Sequence, residues 1–191
     1  MPEAFFRDEV FSQKDFIEDT LPFGEYENCE ILGINLIEAD LSKMTFSECV
    51  FKACDLSNAN LKDSTLREVE FTDCKLIGLS FDHCNPFLLS FTFENCLLNF
   101  SSFLKLKIKS TSFSGCKLVQ ADFSDADLSS AEFKTCDLSG AIFFNTRLEK
   151  TDFSSSEHFR IDPENNIIKG AKFSTRDLHG LLSKYKIEIK P

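Results

Sequence analysis

Large apolar residues recur at every fifth position along most of this chain. One series runs Ile31, Leu36, Leu41, Phe46, Phe51, Leu56, Leu61, Leu66, Phe71, Leu76 and Phe81. A second runs Leu98, Phe103, Ile108, Phe113, Leu118, Phe123, Leu128, Phe133, Leu138, Phe143, Leu148 and Phe153. Every member is Leu, Ile or Phe, types that fill 56 of the 191 positions. By rough counting, chance would give such a set less than about once in a billion. The phase also reaches back through Phe6, Phe11, Phe16, Leu21 and Tyr26.

Two residues before many of the large ones lies a small one, among them Cys49, Cys54, Ala59, Ser64, Cys96, Ser101, Ala121, Ala126, Thr146 and Thr151. The residue between them is often polar: Asp40, Asp55, Asn60, Asp122, Asp127, Asp137 and Asp152. A helix would spread a five-residue period around its circumference, and a strand needs a period of two. A solenoid satisfies the pattern, each unit forming one face with one large and one small residue inward. All eight cysteines take the small position, and Cys29 to Cys49, Cys54 to Cys74, and Cys96 to Cys116 to Cys136 are spaced by 20. Phe103, Phe123 and Phe143 repeat at the same interval. Twenty residues are four units, so the coil is expected to be square and like residues to stack on themselves.

This pattern resembles the pentapeptide repeat family, whose consensus is Ala-(Asp/Asn)-Leu-x-x. The nearest copies are Ala39-Asp40-Leu41-Ser42-Lys43, Ala59-Asn60-Leu61-Lys62-Asp63, Ala121-Asp122-Phe123-Ser124-Asp125 and Ala126-Asp127-Leu128-Ser129-Ser130. The resemblance covers roughly residues 5–153 and implies an all-β solenoid, a right-handed quadrilateral β-helix with a dry Leu/Phe interior. Stacked coils then pair like neighbouring strands about 4.8 Å apart, and both ends need caps because each repeat buries its apolar residues only against its neighbours.

The phase breaks once, within 82–93. Phe81 and Phe91 keep the old register and Leu98 a new one shifted by two. Pro86 cannot donate to a ladder and suits a bulged corner. With two residues inserted there, Cys54, Cys74, Cys96, Cys116 and Cys136 form one column. The expected organisation is a β-helix over 1–153, an irregular segment and last coil over 154–172, and a capping tail over 173–191. Asp162-Pro163-Glu164-Asn165-Asn166 is a turn signal. Residues 175–184 read as a short helix, with Leu178, Leu181, Leu182 and, just past it, Tyr185 at helical spacing, and Ile187-Glu188-Ile189 alternates like a short strand. This tail resembles that of the quinolone-resistance branch of the family, which includes the Qnr proteins. The expected dimer interface is Leu178, Leu181, Leu182, Tyr185, Ile187 and Ile189, since an apolar helix at a solenoid end must be covered and a two-fold dimer covers it. The alternative is a monomeric cap lying back on the last coil.

Charge separates the halves. Residues 1–100 hold 19 acidic and 7 basic side chains; residues 101–191 hold 12 and 14. The net charge of −10 argues against direct binding to nucleic acid or an anionic membrane, which need basic patches. No stretch of about 18 apolar residues exists to span a bilayer, the start lacks a signal-peptide pattern, and the expected location is the cytoplasm. Eight cysteines in a reducing compartment are expected to be free thiols.

No catalytic, cofactor or metal constellation emerges, and the expectation is a non-enzyme. His83 beside Cys84 could suggest a nucleophile and base, but Cys84 sits in the inward phase. Tetrahedral zinc needs ligands converging on a point, whereas a cysteine column sets sulfurs in a line. Resemblance to the quinolone-resistance branch implies a dimeric rod that mimics DNA and binds DNA gyrase or topoisomerase IV, with Glu25, Glu27, Glu30 and Glu38 as the candidate acidic surface. Two departures stand beside it: the C-terminal half is near neutral, and the long loops of the Qnr coils are absent. The alternative is a structural or scaffolding module with an unrelated protein partner.

Overall fold

The five-residue period is written in the backbone. The computed structural model describes residues 4–15 and 20–188; Phe16 and Ile189 lie outside them. Each unit presents a small inward residue, an outward one, a large inward one, another outward one, and then a corner. At the corner φ turns positive, as at Glu48 (55°), Ala53 (55°), Asn58 (56°) and Asp63 (59°). A left-handed L-residue costs roughly 1–2 kcal/mol, so these corners persist because ladder hydrogen bonds and interior packing hold them.

The four sides of the coil differ in regularity. The first face carries β1 (Ala4–Arg7), β3 (Gly24–Glu27), β5 (Thr45–Ser47) and β7 (Thr65–Arg67). The second carries β2 (Val10–Ser12), β4 (Glu30–Leu32), β6 (Val50–Lys52), β8 (Val69–Thr72), β9 (Phe91–Glu94), β10 (Ser112–Ser114), β11 (Glu132–Lys134), β12 (Asp152–Phe153) and β13 (Lys172–Phe173). All pair in parallel, and the nine strands of the second face define eight turns. At about 4.8 Å per turn the stack is about 38 Å tall. The third and fourth faces are joined by single bridges, such as Asn35 with Asp55 and Asp40 with Asn60.

The large series is the core. Leu41, Phe46, Phe51, Leu56, Leu61, Phe71, Phe103, Phe113, Phe123, Leu128, Phe133, Leu138, Phe143 and Phe153 are each at most 6% exposed. Phe103, Phe123 and Phe143 stack with ring centroids 4.9 and 5.2 Å apart. Phe113, Phe133 and Phe153 form a second stack at 4.7 and 4.8 Å. The stacks meet edge to face, Phe113 to Phe123 at 87° and Phe123 to Phe133 at 88°. Each ring is thus both offset-stacked and T-shaped, the two favoured arrangements for aromatic pairs.

The small inward position is also a donor position. The thiols of Cys54, Cys74, Cys96 and Cys136 donate to the carbonyls of Ile31, Phe51, Phe71 and Phe113 in the coil before, at 3.2–3.4 Å. Thr146, Thr151 and Ser156 do the same with hydroxyls, to Phe123, Leu128 and Phe133. Packing alone would accept Ala everywhere; Cys, Ser and Thr add a bond to a buried carbonyl. All eight cysteines are buried and free.

The register break is resolved to 86–90. Asn85 still opposes Thr65, their side chains 3.3 Å apart, while Phe91 opposes Val69 and Phe93 opposes Phe71. The shift of two is therefore already in place at Phe91, which does not keep the old register as a large residue but fills a small inward position, and Phe93 is the first large residue of the new series. Phe87 and Leu88 are pushed outward, 71% and 57% exposed. Among the described residues no backbone hydrogen bond joins 84–90 to 105–111, so the first-face ladder is interrupted at this level while the second face runs through.

Beyond Phe153 the repeat changes its filling and keeps its length. Asp152 pairs with Lys172 and Phe153 with Phe173, 20 residues on. Phe159 and Ile161 enter the interior at 2% and 0% exposure, and the Asn166 amide donates to the Phe143 carbonyl. The tail is two 3₁₀ turns, Thr175–Leu181 and Ser183–Tyr185, rather than one α-helix. The Gly180 carbonyl accepts from Ile161 of the last coil and not from the N–H of residue 184, as an α-helix would require, and the close seat that allows this leaves no room for a Cβ, which would lie 2.2 Å from the Phe159 carbonyl oxygen. Ile187 and Glu188 are in no strand, and Lys186 turns the chain just before them at φ 50°.

Replacing Phe123 with Ala removes a ring held on both sides in its stack. The expected loss is about 3–5 kcal/mol, the usual cost for a buried Phe, read as a lower urea midpoint at unchanged m-value.

Candidate functional site

The polar residue before each large one is a structural device. The carboxylate of Asp55 accepts from the Ser57 N–H at 3.1 Å and the Ser57 hydroxyl at 2.6 Å. Asp127 with Ser129, Asp137 with Ser139 and Asp152 with Ser154 repeat both bonds. Asp40 and Asn60 accept from N–H groups two residues on, and Asn60 also donates to Asp40 across one coil. These are Asx turns that fix the approach to the left-handed corner. The aspartates are therefore engaged by the scaffold and are weak candidates for a partner.

Further negative charge lies outside these turns. Along the corner between the first and second faces, acidic side chains stack coil upon coil: Asp8 and Glu9, then Glu27 and Glu30, then Glu48, then Glu68 and Glu70. Asp8, Glu9, Glu30 and Glu48 line one depression of about 210 Å³. Basic neighbours offset part of the charge, since Arg7 pairs with Glu27 at 2.5 Å and Arg67 lies 3.9 Å from Glu48. Of the acids singled out from the sequence, Glu25, Glu27 and Glu30 share this side of the rod. Glu38 sits at a corner, φ 57°, between the third and fourth faces and so diagonally opposite. Asp8, Glu9, Glu48, Glu68 and Glu70 belong to the seam and sequence reading did not select them. Their signal was recoverable, since 48 and 68 hold the same corner phase one coil apart.

The seam ends at the bulge. Glu68 and Glu70 line a cavity of about 370 Å³ together with Lys107 and Lys109 two coils above, the bulged coil lying between them. Lys109 pairs with Asp127 at 3.3 Å. The sign of the surface thus changes across one coil, where the first-face ladder is broken.

At the other end, Leu181 packs on the core, while Leu178, Leu182, Tyr185 and Ile187 are 42%, 37%, 53% and 56% exposed. The tail is pinned to the last coil by Lys184, which meets Asp162 at 2.7 Å and Glu164 at 2.6 Å, and by the Tyr185 hydroxyl on Glu164. It lies back on the solenoid and still presents an apolar outer face.

His83 and Cys84 diverge. The His83 ring is exposed, 3.9 Å from Asp82, while the Cys84 sulfur is buried and accepts from the Ser64 hydroxyl at 3.5 Å. Burial pushes the Cys84 and Cys49 thiols up to about 11, so both are protonated and poor nucleophiles. Among the described residues, no three His, Cys, Asp or Glu side chains are placed to hold a metal ion, and no helix is long and apolar enough to cross a membrane.

These features define a parallel β-solenoid built of four-sided coils with five-residue faces. A model of the pentapeptide repeat region matches residues 24–103, and one of pentapeptide repeats in eight copies matches 107–143 and 121–156. The chain belongs to the pentapeptide repeat family. No curated protein gives a significant match. Solved structures similar to it include full-length QnrB1, described as a plasmid-mediated fluoroquinolone resistance protein: 22% identity over 97% of this chain and 99% of that one, TM-score 0.43. A trypsin-treated QnrB1 variant gives 21% identity over 98% of both chains and a TM-score of 0.45. HetL, a pentapeptide repeat protein involved in heterocyst differentiation regulation from the cyanobacterium Nostoc sp. strain PCC 7120, gives 17% over 89% and 85%, at 0.44. These are likenesses of fold.

The Asx turns set an acid limit on stability. Hydrogen bonds from Ser42 hold the Asp40 carboxyl below its ordinary value; those from Ser154, with Lys172 beside them, bring Asp152 to about 2. A depressed folded-state value stabilises above the unfolded value near 3.9 and is lost as pH falls through the folded value. Urea midpoints should therefore drop between about pH 4 and 2, and Asp152→Asn should flatten part of that slope.

Proposed function

We propose that this protein is a non-enzymatic binding rod whose acidic corner docks into the DNA-gripping groove of a type II topoisomerase, DNA gyrase or topoisomerase IV. The observation that carries this is the seam from Asp8 and Glu9 to Glu68 and Glu70. It stacks exposed carboxylates along one corner at the coil repeat, and so offers a basic groove a line of negative charge of the kind a nucleic acid backbone offers. Such complementarity steers association and selects partners, while the same charges repel nucleic acid itself. In a cell the consequence would be competition with DNA for the enzyme, and through it protection against quinolones. The site of action would be the cytoplasm.

The binding unit in this reading is a homodimer joined through Leu178, Leu182, Tyr185 and Ile187, with Leu181 fastening each tail to its own core. The support is an apolar outer face at a solenoid end, with the tail otherwise fixed in place by ion pairs. The reading of a scaffold with an unrelated protein partner is favoured by one feature, the near-neutral surface above the bulge, where Lys105, Lys107 and Lys109 replace the seam.

The functional test is a gyrase supercoiling assay with and without a quinolone. Wild type should inhibit or protect, and its binding should weaken steeply as salt rises, because screening acts on exposed charges. Changing Glu25, Glu27 and Glu30 to Lys should damage binding more than changing Lys105, Lys107 and Lys109 to Glu, and Glu38→Lys should have little effect. Absence of both activities at all concentrations rejects gyrase as the target and leaves the scaffold reading.

Light scattering tests the assembly. Wild type should show twice the chain mass of 21.7 kDa. Leu178→Glu with Leu182→Glu should return it to one chain with the solenoid still folded. A wild-type monomer at high concentration removes the dimer.

A further inference from the structure

The tail and the last coils enclose a cavity of about 500 Å³, and its charge runs against that of the whole chain. Its lining includes His158, Arg160, His179 and Lys186 and no acidic side chain, in a protein of net charge −10. Arg160, His179 and Lys186 form no ion pair among the described residues; His158 alone has a counter-ion, Asp137 at 3.1 Å. The contrast with Lys184 is local and informative. That side chain, two residues from Lys186, is held by Asp162 and Glu164 on the tail's other flank. Basic groups gathered without counter-charge repel one another, and an anion between them relieves that repulsion.

The rest of the lining suits an organic ligand. Leu182, Ile187 and Phe159 give apolar wall; the Ser139 and Ser183 hydroxyls also line it, their protons already donated to Asp137 and the Gly180 carbonyl, which leaves the basic side chains as the donors. Volumes of about 300–1,000 Å³ with mostly apolar walls and a few convergent polar groups are those of small-molecule sites. Guanidinium, ammonium and imidazole groups together favour a compact dianion, and the guanidinium fork matches phosphate oxygens two at a time.

We propose that this cavity binds a phosphomonoester with an apolar or aromatic body, about the size of a nucleoside monophosphate. The site is distinct from the acidic seam and of opposite sign, so it stands whether or not a topoisomerase is the partner. It also places a small-molecule contact on the segment that closes the solenoid, joining the tail's Lys186 to the coil's Arg160.

The test is calorimetric titration of the full chain with phenyl phosphate, inorganic phosphate and benzyl alcohol. Phenyl phosphate should saturate one site per chain, inorganic phosphate should bind more weakly, and benzyl alcohol should not bind. Arg160→Ala with Lys186→Ala should weaken phenyl phosphate by about tenfold or more, the scale of losing two charge-assisted contacts. The control pair Lys105→Ala and Lys107→Ala should leave it unchanged. Both pairs alter exposed side chains, and an unchanged melting temperature would show that the fold is kept. Lack of saturation by about 10 mM, weaker than any specific site of this kind, overturns the proposal. So does equal loss in both pairs, which marks unspecific attraction, or phenyl phosphate binding no tighter than inorganic phosphate, which removes the apolar body from the ligand class.

Discussion

Everything in this molecule depends on one coil lying in register upon the next. The left-handed corner that closes each five-residue face is unfavourable by itself for Glu48, Ala53 or Asp63. It is held by N–H groups that reach the coil above, as from Glu48 to the Arg67 carbonyl and from Ala53 to Thr72. Register places like beside like, so rings stack on rings and thiols on thiols. The aromatic columns, the donor column of Cys, Ser and Thr, and the Asx turns are three consequences of a single repeat distance. A coil in isolation would have none of them, the behaviour expected where each repeat contacts only its neighbours.

The same register organises the surface. A residue type repeated at intervals of 20 becomes a stripe, and the side on which it falls is set by its phase within the unit. Glu48 and Glu68 share a corner phase and extend the line begun by Asp8 and Glu9. The bulge at 86–90 ends that line. Two extra residues leave the second-face strands continuous and break the first-face ladder, so the acidic seam and the lysines above it meet at an interruption of the backbone. The exposed Phe87 and Leu88 mark the same place. Far from it, the tail encloses a cationic cavity, and the rod carries surfaces of opposite sign at separate levels.

The sequence by itself determined the period, the square coil, the identity of the core and the column Cys54 to Cys136. These follow because side-chain size alternates with a phase that only one backbone path can bury. It also located the break to within a dozen residues through the shift between Phe81 and Leu98. It did not place Phe93 in the new register, because Phe91 and Phe93 are equally apolar and only the pairing with Val69 and Phe71 distinguishes them. It read a lapse after Phe153, since His158 stands where a large residue was due. The coil nonetheless closes by drawing in Phe159 and Ile161. The tail was legible as a cap but not as 3₁₀ turns, because the bond that diverts the Gly180 carbonyl to Ile161 is long-range. Charge was legible as a difference between halves and not as a seam. Linear order cannot show that Glu30 and Glu48 line one depression while Glu38 points to the opposite corner. Nor can it show that Arg160 and Lys186 face one cavity, because the distance between them in space is set by how the chain folds back on its last coil.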